Sequence, residues 1–281
     1  MSDERVTTSM RCVVVWMIDL CRDTVRSWAV CFLRPSGRLE LVMEQTEHTQ
    51  EKPHQVANFW PKIIFGVPFT IAFFWGYMWL GGGVRWWQGW LMLGVMFVGE
   101  TLRAVYVSRK QPEMFKRRGE FGEGTQSWDK AWLTVFGLVL TVMFVIGPLD
   151  GGRYLWAPLP VWTIPIGIVL YILYLVFFGW AMSVNPHFEK TVRLQEDRGH
   201  KVITTGPYAY IRHPGYIGSI LGFGIAPPLM MCSAWALVPG LLLIPCFMVR
   251  TAWEDAFLQR ELDGYAAYAQ KVKYKLFPGL W

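Results

Sequence analysis

Long apolar runs recur along most of this chain, and they restrict it to very few folds. A helix needs about 20 mostly apolar residues to cross the hydrocarbon core of a bilayer, and such a helix satisfies its own backbone hydrogen bonds. Only 17% of the residues are charged, whereas soluble domains average about 25%. The sequence therefore predicts an all-α, polytopic membrane helical bundle with about six spans. We assign these spans to residues 60–80, 90–107, 131–149, 161–184, 216–231 and 234–249.

The last two runs are separated only by Cys232 and Ser233, and both contain glycine and proline. Interrupted helical backbone persists in a membrane only where protein or a cavity covers it. We therefore expect these two spans to form a tight, bent helical hairpin that packs against the other helices. A C-terminal amphipathic helix over residues 251–273 is predicted to follow.

Residues 1–58 differ from the remainder of the chain. Their one apolar run, CVVVWMI, ends at Asp19 and is too short to span a bilayer, and no small-residue signal cleavage site follows it. We expect residues 1–58 to be a disordered N-terminal extension, with a true start at Met43 as an alternative. Residues 59–281 then form one integral-membrane domain.

The distribution of Lys and Arg predicts the orientation. Most of these residues fall in the segments after the second and fourth spans, whereas the opposite side carries Arg85 and Arg153. By the positive-inside rule the cation-rich segments face the cytoplasm, where membrane lipids are anionic. The net charge of +6 is explained in this way, and no nucleic-acid partner is expected. The five cysteines form no CxxC pair, so we expect no metal site.

Glu100 and Arg103 lie three residues apart within the second span. Two opposite charges on one helix face are least costly near a bilayer when they pair inside the protein. We interpret this pair as a buried structural brace rather than a catalytic site.

A polar stretch between the fourth and fifth spans, residues 185–216, is the best candidate for chemistry. It concentrates charged and aromatic side chains between spans that contain no charged residue, and its Gly206-Pro207 and His213-Pro214 steps indicate fixed turns.

Within and after this stretch, the pattern GPYAYIRHPGYIG, preceded by GHKVI and followed by RTAWEDAFL and GYAAY, resembles the isoprenylcysteine carboxyl methyltransferase family, and most closely its bacterial membrane branch. The resemblance covers roughly residues 60–281. The RHPxY core also resembles phospholipid N-methyltransferases and, more loosely, membrane sterol reductases, so it identifies a superfamily better than a substrate.

The resemblance implies S-adenosylmethionine as the methyl donor. It also implies that His213 is catalytic and that Asp255 replaces a second glutamate common in the family. The residues that it assigns to the cofactor are Gln195, His200, Lys201, Val202, Ile203, Tyr208, His213, Pro214, Gly215, Tyr216 and Glu254.

Arg250 and Glu254 are four residues apart, so their side chains share one helix face. The resemblance makes Arg250 a catalytic, substrate-binding residue, and Glu254 a cofactor ligand. A guanidinium can hold a carboxylate through two donors, and a carboxylate can balance a cation. The alternative is a surface salt bridge worth a few tenths of a kcal/mol.

The resemblance implies carboxyl O-methylation of an isoprenylcysteine-like lipophilic acceptor that enters from the bilayer, and the Lys and Arg distribution predicts an active site facing the cytoplasm. A carboxylate is already ionised near neutral pH and needs no general base. The alternatives are a phospholipid N-methyltransferase or a small-thiol S-methyltransferase, for which His213 or Glu254 would act as base. An NADPH-dependent membrane reductase and a non-enzymatic transporter also remain.

Overall fold

The structure of the chain is a computed structural model that describes residues 72–112, 125–195 and 199–281. The predicted extension of residues 1–58, the alternative start at Met43 and the first part of the first predicted span lie outside the described residues. The rest of that span is helical over residues 72–80.

The described residues form an all-α bundle, and none of them belongs to a β-sheet. The α-helices are α1 (Trp87–Lys110), α2 (Ser127–Pro148), α3 (Thr163–Val184), α4 (Pro214–Ser219), α5 (Ala226–Met230), α6 (Ala234–Glu261) and α7 (Tyr265–Lys271). Two further segments have π geometry: Leu149–Tyr154 extends α2, and Ile220–Ile225 joins α4 to α5.

Four of these helices, namely α1, α2 with its π extension, α3 and α6, are long and apolar enough to cross a membrane. The chain is therefore an integral membrane protein. The predicted count of six spans is not confirmed, because the first predicted span is described only in part. The fifth is divided among α4, the π segment and α5.

The boundary predicted between the sixth span and the amphipathic helix needs correction. The single helix α6 runs through it, and the break comes later, at Leu262 to Gly264, where Gly264 adopts a left-handed φ of 82° before α7 begins. Residues 246–253 contain no glycine or proline, so nothing in this stretch disfavours a continuous helix. Arg250 and Glu254 therefore lie within α6 and not at the start of a new helix.

The predicted hairpin is present. α5 and α6 are joined by residues 231–233, and the Ser233 side chain caps α6 by accepting a hydrogen bond from the Ala236 N–H at 3.0 Å. Gly224, in the π segment before α5, and Gly240 of α6 bring the backbones of these two segments into contact, because a Cβ atom on either glycine would overlap the carbonyl oxygen of the other. The small residues thus permit a crossing that larger ones would block.

Gly240→Ala is expected to lower the free energy of unfolding by about 1–3 kcal/mol, since overpacking of a filled contact costs this much. The measurement is the midpoint of thermal unfolding in detergent. Gly137→Ala is the control, because Gly137 is an exposed α2 residue and a Cβ atom added to it would meet no other heavy atom within 4 Å. We expect Gly137→Ala to leave the midpoint unchanged or raise it, as alanine favours helix. Equal effects at the two positions would contradict the close crossing.

Glu100 and Arg103 form the predicted ion pair, and tyrosines of α3 complete it. The Tyr171 and Tyr174 hydroxyls donate to Glu100 Oε1 at 3.2 and 2.6 Å, while Arg103 Nε donates to Glu100 Oε2 at 3.0 Å. Arg103 also lies 5.3 Å from the centroid of the Phe178 ring. The pair therefore joins α1 to α3, as a structural brace would, while its lack of a catalytic role stays a prediction.

Candidate functional site

One pocket lies where residues 185–216 meet the C-terminal part of α6 and the helix α7. It encloses about 830 Å³ of space, including the part of its mouth that is open to solvent. Every residue that the sequence assigned to the cofactor lines it, namely Gln195, His200, Lys201, Val202, Ile203, Tyr208, His213, Pro214, Gly215, Tyr216 and Glu254. Residues far apart in sequence are thus brought together.

The turns of this segment follow from its glycine and prolines. Gly206 has a left-handed φ of 61° and begins a single 3₁₀ turn, Gly206–Ala209, of which Pro207 is the second residue. Pro214 occupies the start of α4, where a missing N–H costs nothing. The predicted fixed turns are confirmed.

The C-terminal part of the chain holds this segment in place. The backbone N–H groups of Arg212 and His213 donate to the carbonyls of Tyr274 and Lys275, both at 3.0 Å. The Tyr268 hydroxyl donates to the Tyr208 carbonyl at 2.7 Å. The wall of the pocket is therefore built from two distant parts of the chain.

His213 lies between two carboxylates. Its Nδ1 is 3.9 Å from Glu254 Oε1, and its Nε2 is 3.6 Å from Asp255 Oδ1. The ring stacks on Tyr216 with the ring planes 4° apart. His213 precedes α4 at the cap position, but its side chain makes no capping hydrogen bond. The ring therefore does not cap the helix, and its nearest polar contact is the Tyr265 hydroxyl, 3.3 Å from Nε2.

Glu254 faces the pocket and accepts a hydrogen bond from the Tyr216 hydroxyl. A carboxylate that is largely removed from water attracts a cation more strongly than an exposed one does. Glu254 is therefore the group best placed to hold a positively charged ligand in this pocket.

Three buried tyrosines of the pocket remain neutral near physiological pH. Burial raises the pKa of Tyr208, Tyr265 and Tyr268 above the ordinary phenol value of 10.0. They therefore do not act as bases. Tyr265 donates a hydrogen bond to Asp255 at 3.1 Å and Tyr268 donates to the Tyr208 carbonyl, whereas the Tyr208 hydroxyl accepts one from Asn185 Nδ2 at 3.1 Å.

Gln195 is buried and bonded to its own loop. Its side-chain Nε2 donates to the His187 carbonyl at 2.7 Å, and the His187 ring lies 4.6 Å from the His200 ring. His187 and Phe188 also line the pocket. Sequence reasoning missed both, although they fall within residues 185–216. The contact of Gln195 with a cofactor stays a prediction.

Asp255, noted only as a substitution in the sequence, is a buried anchor of the site. It is fully buried and accepts two contacts from Arg212 Nη1 at 2.7 and 2.9 Å, one from Gln259 at 2.8 Å and one from Tyr265. Lys275 Nζ lies 3.6 Å away. Asp255 thus joins α6 to the turn before α4.

Arg250 does not line the pocket, but it lies against Tyr216, which does. Its Cζ is 5.3 Å from the Tyr216 ring centroid and 4.3 Å from that of Trp132. Arg250 is buried, and its Nη2 is 3.0 Å from Asp129 Oδ1. The alternative of an exposed salt bridge is therefore wrong for this residue. Asp129 was also missed, because one acidic residue at the start of a span gives no distinctive signal.

Known proteins are similar to this chain in the part that contains most of the pocket. Residues 165–260 match the family model of the isoprenylcysteine carboxyl methyltransferase family. The chain is 33% identical over 111 residues to a protein named "Probable protein-S-isoprenylcysteine O-methyltransferase" in Oryza sativa subsp. indica and in subsp. japonica, a match that covers 38% of this chain and 57% of each relative.

A third relative, "Protein-S-isoprenylcysteine O-methyltransferase B" of Arabidopsis thaliana, is 24% identical over 114 residues, or 40% of this chain and 57% of that protein. The chain therefore spans a little over half the length of the curated relatives that it matches. The family resemblance predicted from the sequence is confirmed.

Proposed function

We propose that this chain is a membrane methyltransferase of the isoprenylcysteine carboxyl methyltransferase family that uses S-adenosylmethionine, since residues 165–260 match the model of that family. The proposed reaction forms a methyl ester on the carboxylate of an isoprenylcysteine-like lipophilic acceptor. One observation carries the proposal: the side chains that the resemblance assigns to the methyl donor, from Gln195 to Glu254, line a single pocket.

The chemistry of the pocket fits this donor. S-adenosylmethionine combines a sulfonium cation, an amino-acid zwitterion and an adenosine, and when bound it supplies an electrophilic methyl carbon. Glu254 offers a carboxylate for the cationic part, and Phe188 and Tyr208 offer aromatic surface. Hydrogen-bond donors and acceptors are present at Asn185 and His200.

The other residues of the site position the two reactants and exclude water from them. An acceptor carboxylate is ionised near neutral pH, so no residue has to remove a proton. Arg250 holds that carboxylate through its guanidinium. Tyr216 orients Glu254 through its hydroxyl hydrogen bond, His213 lies between Glu254 and Asp255, and the buried aromatic side chains exclude water. Catalysis then depends on holding the two reactants in line, which supplies a large part of a displacement barrier.

We propose that the acceptor enters sideways from the bilayer and that the pocket faces the cytoplasm. α2 and α6, which carry Asp129 and Arg250, are apolar helices with exposed hydrophobic side chains such as Val142 and Leu242. The cation-rich segments flanking α1 and α3 support this orientation.

Calorimetric binding of S-adenosylmethionine to the detergent-solubilised protein tests the proposal. We expect a dissociation constant in the micromolar range and no comparable binding of NADPH. A folded protein that binds NADPH and not S-adenosylmethionine would select the reductase alternative. Binding of neither ligand would remove the enzymatic interpretation.

Glu254→Gln is expected to weaken S-adenosylmethionine binding by at least about tenfold, or roughly 1.4 kcal/mol. The amide keeps an oxygen for the Tyr216 hydroxyl but loses the negative charge that balances the cofactor. Calorimetry of the variant and of wild type gives the change in the dissociation constant of S-adenosylmethionine. Glu261→Gln is the control, since Glu261 is exposed in the last turn of α6, and it should change the affinity less than about twofold. Equal affinities for Glu254→Gln and wild type would exclude Glu254 as a ligand.

A further inference from the structure

Asp129 is a fully buried carboxylate that no part of the proposed reaction has used. It lies in the first turn of α2, and its Oδ2 accepts the Val192 N–H at 2.7 Å. Arg250 Nη2 lies 3.3 Å from Oδ2 and 3.0 Å from Oδ1. One side chain thus contacts both α6 and the segment that follows α3.

The start of α2 is joined to this segment by further hydrogen bonds. The Gln126 N–H donates to the Val192 carbonyl at 3.1 Å, and the Thr125 and Thr191 hydroxyls are 3.3 Å apart. Thr191 and Val192 both line the pocket. Asp129 therefore links Arg250 to the pocket wall.

The guanidinium of Arg250 is held mainly by one nitrogen. Nη2 donates to the Lys190 carbonyl at 2.7 Å and contacts Asp129, and the group lies over the Trp132 ring. Nε of Arg250 is buried and has no hydrogen-bond partner among the described residues. A buried donor without a partner is costly, so an acceptor anion that reached this nitrogen would satisfy it.

We propose that Asp129 is a positioning residue for methyl transfer. It holds Arg250 by Nη2, so that the rest of the guanidinium is presented to the acceptor carboxylate beside Tyr216. The inference rests on the proposed function, because it assigns the unpaired Nε of Arg250 to the carboxylate of the acceptor. Asp129 itself contacts neither the acceptor nor the methyl donor.

Asp129→Asn tests this role because it removes the charge and retains an oxygen for the Val192 N–H. The readout is the dissociation constant of farnesylcysteine for protein saturated with S-adenosylhomocysteine. We expect binding to weaken by at least about tenfold, while S-adenosylmethionine affinity changes less than about threefold. The affinity for S-farnesylcysteamine, which lacks the carboxylate, should fall by less than about twofold. Asp129→Glu, which keeps the charge, should recover part of the affinity.

Asp150→Asn is the matched control. Asp150 is the other buried aspartate of this helix and its π extension, about 30 Å from Asp129 along the axis, and it accepts hydrogen bonds from Ala157, Ser233 and Trp235. This variant should lower the unfolding midpoint and leave farnesylcysteine affinity within about twofold. If Asp129 had only a structural role, Asp129→Asn would likewise lower the unfolding midpoint and leave the farnesylcysteine affinity within about twofold.

The outcomes separate the inference from the proposed function. If wild type transfers methyl groups to farnesylcysteine and Asp129→Asn binds this acceptor equally well or more tightly, Asp129 is only a counter-ion and the inference is overturned. If folded wild type binds neither S-adenosylmethionine nor farnesylcysteine, the proposed function fails and the inference fails with it. A selective loss for the carboxylate-bearing acceptor supports both.

Discussion

Arg250→Lys is expected to lower kcat/KM for a carboxylate acceptor by about 100-fold, or roughly 2.7 kcal/mol. In wild type, Nη2 of Arg250 donates to the Lys190 carbonyl and forms an ion pair with Asp129. A lysine ammonium placed there retains the charge but lacks the planar arrangement of additional donors. The charge-assisted hydrogen bonds to the acceptor are therefore lost, while the buried Asp129 keeps a cationic partner.

The measurement is steady-state methyl transfer with farnesylcysteine, combined with calorimetric binding of S-adenosylmethionine. Because Arg250 does not line the pocket, cofactor affinity should change less than about threefold. Arg260→Lys is the control, since Arg260 is exposed near the end of the same helix. A full loss of cofactor binding in Arg250→Lys would show that the substitution damages the fold. Unchanged kcat/KM would remove Arg250 from the acceptor site.

Asp255→Ala is expected to reduce the free energy of unfolding by about 3–5 kcal/mol, the usual cost of leaving one member of a buried ion pair without its partner. Arg212 loses the carboxylate that two of its contacts reach, at 2.7 and 2.9 Å. Gln259, Tyr265 and Lys275 lose a shared acceptor. The unfolding midpoint should fall by about 10 °C.

The same substitution should weaken S-adenosylmethionine binding by more than about tenfold, because Arg212 and His213 form the turn that leads into Pro214 and Gly215 of the pocket. Asp263→Ala, at an exposed position after α6, should change the midpoint by less than about 1 °C. Should Asp255→Ala unfold like wild type, Asp255 would not be the anchor of the site.

The pocket was predictable from the sequence because most of it comes from one continuous stretch. Residues 199–203 and 206–216 carry a recognisable pattern, and Glu254 lies on a second motif. The four confirmed long helices follow from apolar runs whose lengths match a bilayer. The hairpin followed from the short joint at Cys232 and Ser233.

The pairs that brace the site were not predictable. Arg250 and Asp129 are 121 residues apart, and Arg212 and Asp255 are 43 apart. A single acidic residue near a span has no periodicity that reveals its partner. The extent of α6 was misjudged for a related reason, since the change from apolar to charged residues after Val249 alters the surroundings of a helix and not its backbone.

Transfer of a labelled methyl group from S-adenosylmethionine to farnesylcysteine by the purified protein tests the central claim most directly. We expect wild type to place the label in a base-labile methyl ester, and Arg250→Lys to form about 100-fold less of it. Absence of labelled ester from a folded protein that binds S-adenosylmethionine, or base-stable label on a phospholipid amine or a thiol instead, would contradict it.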